Sequence, residues 1–158
     1  MNKSALIDNI IKALRSELET YVRAANSSHE EATAEENRAE NKYDTRGLEA
    51  SYLATGQANK VMELEDAIGA FEDLKAKSFD ESAIDVGALV ELDQNGEKAF
   101  YFIGPSAGGT EITDGVHEVL VITPQSPLGT QLQGQQHGDR LELTLAGAKQ
   151  LVQIVDVC

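Results

Sequence analysis

One cysteine, Cys158, and no tryptophan stand in a chain of 158 residues. A single thiol cannot close a disulfide within the chain, which fits a reducing compartment. Aromatics make up 5% of the sequence, too few for a large aromatic core or a platform on which bases stack. No apolar run approaches the ~20 residues needed to cross a bilayer. The opening residues Met1-Asn2-Lys3-Ser4 lead into an amphipathic stretch rather than the apolar segment of a signal peptide. A cytoplasmic location with no membrane contact is expected. Basic residues are also scarce, since 13 Lys and Arg against 27 Asp and Glu leave a formal net charge of −14. Binding to free nucleic acid depends on Lys and Arg releasing counterions from phosphates. Any nucleic-acid role therefore passes through a protein partner whose docking site is basic.

Proline is missing from the first half altogether. Pro105, Pro124 and Pro127 and most of the glycines follow a change of composition near Lys77–Asp85. Ala, Glu, Leu and Lys dominate before it, and short β-branched runs come after it. The chain thus reads as α+β, a helical segment 1–77 followed by a β-rich segment 78–158.

Ile7, Ile11, Leu14, Leu18, Tyr21, Ala25, Ser28 and Ala32 recur at alternating spacings of four and three, the seam of a coiled coil. A second seam runs Tyr43, Gly47, Ala50, Ala54, Gln57, Val61, Leu64, Ile68 and Phe71. Folded back antiparallel, the seams set Ile7 against Phe71, Leu14 against Leu64 and Ala25 against Ala54. Large residues then meet at the base and small ones toward the turn. This match is built into neither seam and supports a helical hairpin reversing within Glu36–Lys42, its arms ~45 Å long at ~1.5 Å per residue. A dimerisation arm is the plainer reading of the same spacing. Ser4 is expected to cap the first helix. Strands are expected at Gly87–Asp93, Lys98–Ile103, Glu118–Thr123, Arg140–Leu145 and Gln150–Val155. Asn95-Gly96 signals a tight hairpin, and Ser126 with Pro127 opens a short helix.

The turn region concentrates carboxylates: Glu30, Glu31, Glu35, Glu36, Glu40 and Asp44. Carboxylates at an exposed tip can hold Mg²⁺ through oxygen, and do so effectively when another protein completes the ligand set. A solvated acidic surface is the alternative, with Arg38, Lys42 and Arg46 interleaved. His29, His117 and His137 lack ligand spacing with one another and with Cys158, which argues against zinc. The Gly104–Gly109 stretch lacks the lysine and helix of a phosphate loop and reads as a flexible connection.

The block Val121–Asp139, with Ser126-Pro127-Leu128-Gly129, Leu132, Gly134 and Gly138-Asp139, resembles the C-terminal signature of the bacterial Gre-type transcript-cleavage factors. Glu40-Asn41 followed by Tyr43 is similar to the family's Glu-Asn at its coiled-coil tip. The resemblance implies an N-terminal antiparallel coiled coil followed by an FKBP-like domain. It implies RNA polymerase as partner, entered through the secondary channel, with nucleic acid met only inside the transcription complex. Two tip carboxylates would help place the second Mg²⁺ and the attacking water, while the polymerase performs the cleavage, so the factor itself is not an enzyme. Glu40 matches one tip carboxylate. The position three residues earlier is Asn37 where the family has Asp, so Glu36 or Asp44 is left as the second, with Glu40 and Asp44 as the metal pair. Three alternatives stay open: a channel-binding regulator without cleavage, a prolyl isomerase using Phe100, Tyr101 and Phe102, and a coiled-coil adaptor.

Overall fold

The computed structural model describes residues 1–33 and 46–158, with side-chain environments at 1–27, 30 and 55–158. Helix α1 spans Lys3–Thr33 and α2 spans Arg46–Glu72. The strands are β1 (Leu89–Gln94), β2 (Glu97–Ile103), β3 (Glu111–Asp114), β4 (His117–Ile122), β5 (Arg140–Leu145) and β6 (Ala148–Val157). A short helix α3 (Pro127–Leu132) lies between β4 and β5. The α+β class expected from composition is what the chain adopts. It packs as two compact units, one formed by Met1–Ile11 with Gly69–Cys158, the other by Lys12–Ile68.

Asn2, not Ser4, caps α1. Its Oδ1 accepts from the Ala5 amide at 3.2 Å and its carbonyl from the Leu6 amide at 2.9 Å. Asn is as good an N-cap as Ser, and standing two residues earlier it captures the first free amides. Along α1 the seam is the buried stripe, and burial fades along it. Ile7, Ile11 and Leu14 are buried, whereas Leu18, Tyr21 and Ala25 are half-buried. On α2, Leu64, Ile68 and Phe71 are buried, and Gln57 and Val61 half-buried. Within the Lys12–Ile68 unit the Lys60 ammonium lies 5.9 Å from the centroid of the Tyr21 ring. Ile7, Ile11 and Phe71 line one small cavity of about 150 Å³ in the other unit. The start of α1 therefore meets the end of α2, and the arms run antiparallel near the expected register. Leu6 and Ile10, outside the seam, are also fully buried, because here the helix carries the broad apolar face of a globular element rather than a two-residue seam.

The six strands form one mixed sheet in the order β3-β4-β2-β1-β6-β5. β2 and β4 are parallel, with Phe100 opposite Val119, and every other pairing is antiparallel. The β1–β2 hairpin turns at Asn95 (φ 57°) and Gly96 (φ 92°), the positive-φ pair its sequence signals. One face of the sheet carries Val90, Leu92, Ile103, Ile122, Val152 and Ile154 against Leu132 of α3. On the other, Phe102 packs against Phe71, with ring centroids 6.2 Å apart and neither ring exposed.

Two further expectations need correction. β3 has no counterpart among the five expected strands, since Glu111-Ile-Thr-Asp is four residues long with one apolar side chain. It forms because Ile112 pairs with Val119 and is buried there. The Gly104–Gly109 stretch is not a loose connection: Gly104 donates to the Ile122 carbonyl at 2.7 Å and Gly109 to the Val121 carbonyl at 2.8 Å. The first bond extends the parallel β2–β4 pairing, and the second, with Val121 donating to the Thr110 carbonyl, extends the antiparallel β3–β4 pairing.

Candidate functional site

The carboxylates expected to act, Glu36, Glu40 and Asp44, together with Asn37 and the reversal expected within Glu36–Lys42, lie outside the described residues. Glu30, on α1, is exposed. Of the charges along the arms, Arg23 and Glu19 form an ion pair at 2.5 Å with both side chains mostly in solvent, an arrangement that contributes little to stability.

The block Val121–Asp139 is described throughout, and its residues build architecture. Ser126 caps α3: its hydroxyl accepts from the Gly129 amide at 3.1 Å and donates to the Thr123 carbonyl at 2.7 Å. Pro127 follows at the first helical position, where a missing amide costs nothing. Gly129 is required by close approach, because a Cβ there would stand 1.9 Å from the Thr123 carbonyl oxygen. Leu132 is fully buried in the core. Beyond α3, Gly134 donates to the Ile84 carbonyl and Ile84 to the Gln135 carbonyl. The Asp139 carboxylate accepts from the Gln136 amide at 2.8 Å, and Gly138 donates to the Ile154 carbonyl. Ser126, Pro127 and Gly129 thus shape the start of α3, Gly134 and Asp139 shape its exit loop, and Leu132 and Gly138 tie the segment to the sheet.

The three consecutive aromatics do not converge on one pocket. Strand alternation sends Phe100 and Phe102 to one face and Tyr101 to the other. Phe102 is sealed beneath Phe71. Tyr101 packs against the opposite core, where burial raises its phenol above the ordinary range. Phe100 packs against His117 with ring centroids 4.6 Å apart and planes tilted by 49°. An open groove of about 460 Å³ touches Phe100 and Tyr101, but Lys98, Glu111, His117 and Glu118 share its walls. Lys98 is held by Glu91 at 2.6 Å, and that hydrogen bond raises its pKa. The closed apolar cup that prolyl isomerisation requires is not what these residues form. His137 is exposed, and the His29 side chain lies outside the described residues. No described helix is long and apolar enough to cross a membrane.

Sequence reasoning missed Gln131, whose side-chain amide bonds to both backbone groups of Thr144. Only the pairing of β5 at the sheet edge gives that residue a partner, so no local pattern marks it.

Neither a family model nor a curated protein matches the chain. Among solved structures it is similar to GreA factor homolog 1 (Gfh1) of Thermus thermophilus, at 22% identity over 94% of each chain with a TM-score of 0.40. It is also similar to Gfh1 of Thermus aquaticus, at 23% identity over 95% of this chain and 92% of that one, TM-score 0.41. A third likeness is to the prokaryotic transcription elongation factor GreA/GreB from Nitrosomonas europaea, at 18% identity over 60% of this chain and 78% of that one, TM-score 0.35.

Proposed function

We propose that the chain is a Gre-type transcription elongation factor that enters the secondary channel of RNA polymerase with its helical segment, residues 1–77, leading. Residues 78–158 serve as the second, docking part. In this reading Glu40, with Glu36 or Asp44 as its partner, contributes oxygen ligands to an Mg²⁺ that the polymerase also holds. The ion orients the water that cuts a backtracked transcript. The polymerase owns the chemistry, the factor supplies the second half of a metal site, and nucleic acid is met only within the complex.

The observation that carries the reading is a conjunction. Antiparallel arms, marked by Tyr21 beside Lys60, accompany a Ser126–Asp139 segment whose signature residues each do structural work. A net charge of −14 suits a basic channel and disfavours direct contact with phosphates. One feature favours a second reading, a channel-binding regulator that does not promote cleavage: Asn37 stands where the resembling family has Asp. A neutral amide is a weaker ligand for Mg²⁺ than a carboxylate.

Binding to purified polymerase, titrated with salt, tests the partner. Affinity should fall as ionic strength rises, because the attraction is between opposite surface charges. No binding at any salt concentration would reject the partner and leave the adaptor reading. Asn37→Asp separates the two channel readings: it should increase cleavage if the missing carboxylate limits activity, and leave it unchanged if cleavage is not the function.

A further inference from the structure

The free edge of β5 is closed by one side chain. Leu145 and Ala148 flank the two-residue turn Ala146-Gly147, so they exchange backbone hydrogen bonds. Leu143 and Leu141 follow in the same phase and direct their amides and carbonyls at β6. Thr144, Glu142 and Arg140 direct theirs away from the sheet, where β5 has no neighbouring strand among the described residues. At Thr144 that outward pair is already taken. The Thr144 amide donates to Gln131 Oε1 at 2.8 Å, and Gln131 Nε2 donates to the Thr144 carbonyl at 3.3 Å. The same Nε2 bonds the Pro127 carbonyl at 3.0 Å, fixing the side chain on its own helix. A primary amide offers an acceptor oxygen and two N–H donors, so Gln131 satisfies the amide and the carbonyl of Thr144 as one residue of a neighbouring strand would, and its second donor serves Pro127.

We propose that Gln131 is a plug on the edge of β5 that keeps this edge from pairing with a second copy of the chain. Exposed edges are templates for strand addition, and folded proteins close them by short strands, charges or covering elements. The opposite edge, β3, is four residues long with acidic residues at both ends. β5 is longer, six residues, and depends on the plug. With Thr144 blocked, only Arg140 and Glu142 stay open, a run too short to hold two chains. Unblocked, a two-fold antiparallel pairing sets Arg140 opposite Thr144 at both ends, with about six backbone hydrogen bonds. Glu142 then meets Glu142 at the centre, a like-charge pair that acts as a second, weaker guard. Among the described residues the Glu142 side chain pairs with Lys149, at 3.4 Å and largely in solvent, so neutralising it perturbs the fold little.

The test compares the full chain with Gln131→Ala and with Gln131→Ala combined with Glu142→Gln. Sedimentation equilibrium reads association over a range of concentrations, and thermal melting confirms folding. Gln131→Ala should raise the self-association constant at least about tenfold over the unmodified chain, and the double variant should raise it further. Folded variants that associate no more than the unmodified chain would overturn the proposal. Hydrogen exchange on the unmodified chain gives a readout that requires no variant. The Thr144 amide should be protected, and the amides of Arg140 and Glu142 should exchange fast. A Thr144 amide exchanging as fast as those two would equally overturn it.

Discussion

Replacing Phe71 by Ala removes a ring from the last turn of α2 that is fully buried against Phe102 of β2, centroids 6.2 Å apart and planes tilted by 31°. Truncating a buried Phe costs ~3–5 kcal/mol, partly as lost transfer energy and partly as a cavity. Collapse of the surroundings cannot recover much here, because Phe102 is fixed by the ladders to β1 and β4. The pair also contributes ~0.5–1.5 kcal/mol beyond its buried area through ring geometry. A double-mutant cycle of Phe71→Ala, Phe102→Ala and the combination isolates that term. Urea unfolding followed by tyrosine fluorescence is the assay, since the chain has no Trp; the shift in midpoint at constant slope gives the free energy. The expected result is a loss of ~3–5 kcal/mol for Phe71→Ala and a coupling of ~0.5–1.5 kcal/mol. A loss under ~1 kcal/mol, the range of ordinary surface changes, would refute the claim that the end of α2 is part of the β-rich core.

Two further perturbations probe other parts of the chain. Leu14→Asp puts a charge at a position 1% exposed. It should cost several kcal/mol and reduce helical circular dichroism, whereas undiminished helicity and melting would contradict the seam. Burial first, then the Asp156 charge, push the Cys158 thiol above its ordinary range, and Lys3 acts in the opposite sense. A folded pKa above the unfolded one gives stability that is present below the unfolded value and lost as pH rises through the folded value. Alkylation of native Cys158 should therefore need higher pH than in the unfolded chain, and Asp156→Asn should lower its midpoint. Identical midpoints in native and unfolded chains would exclude the shift.

What the sequence reveals depends on how local the cause is. The arms of the hairpin are legible because two seams match in size, and the Asn95-Gly96 turn because positive φ is a property of the residues themselves. Ser126 and Pro127 likewise announce α3. β3 was hidden because its stability comes from one cross-strand contact, Ile112 on Val119, which no alternating run foreshadows. Leu6 and Ile10 escaped the heptad pattern because α1 buries a face broader than a two-residue seam there, and Asn2 took the cap by standing nearer the first free amides. The candidate tip residues were legible as a cluster of carboxylates and as a resemblance. In the proposed reading their individual roles depend on where a partner supplies its own oxygens, which is not encoded in local spacing.

Transcript cleavage in a defined backtracked RNA polymerase complex, measured with polymerase binding in the same samples, tests the central claim most directly. The unmodified chain should accelerate cleavage in the presence of Mg²⁺. Glu40→Ala should abolish that acceleration with binding nearly intact, because affinity is spread over a wide surface while metal placement rests on one or two oxygens. Of Glu36→Ala and Asp44→Ala, one should reproduce the loss. Binding without any acceleration by the unmodified chain at any Mg²⁺ concentration would contradict the cleavage-factor reading.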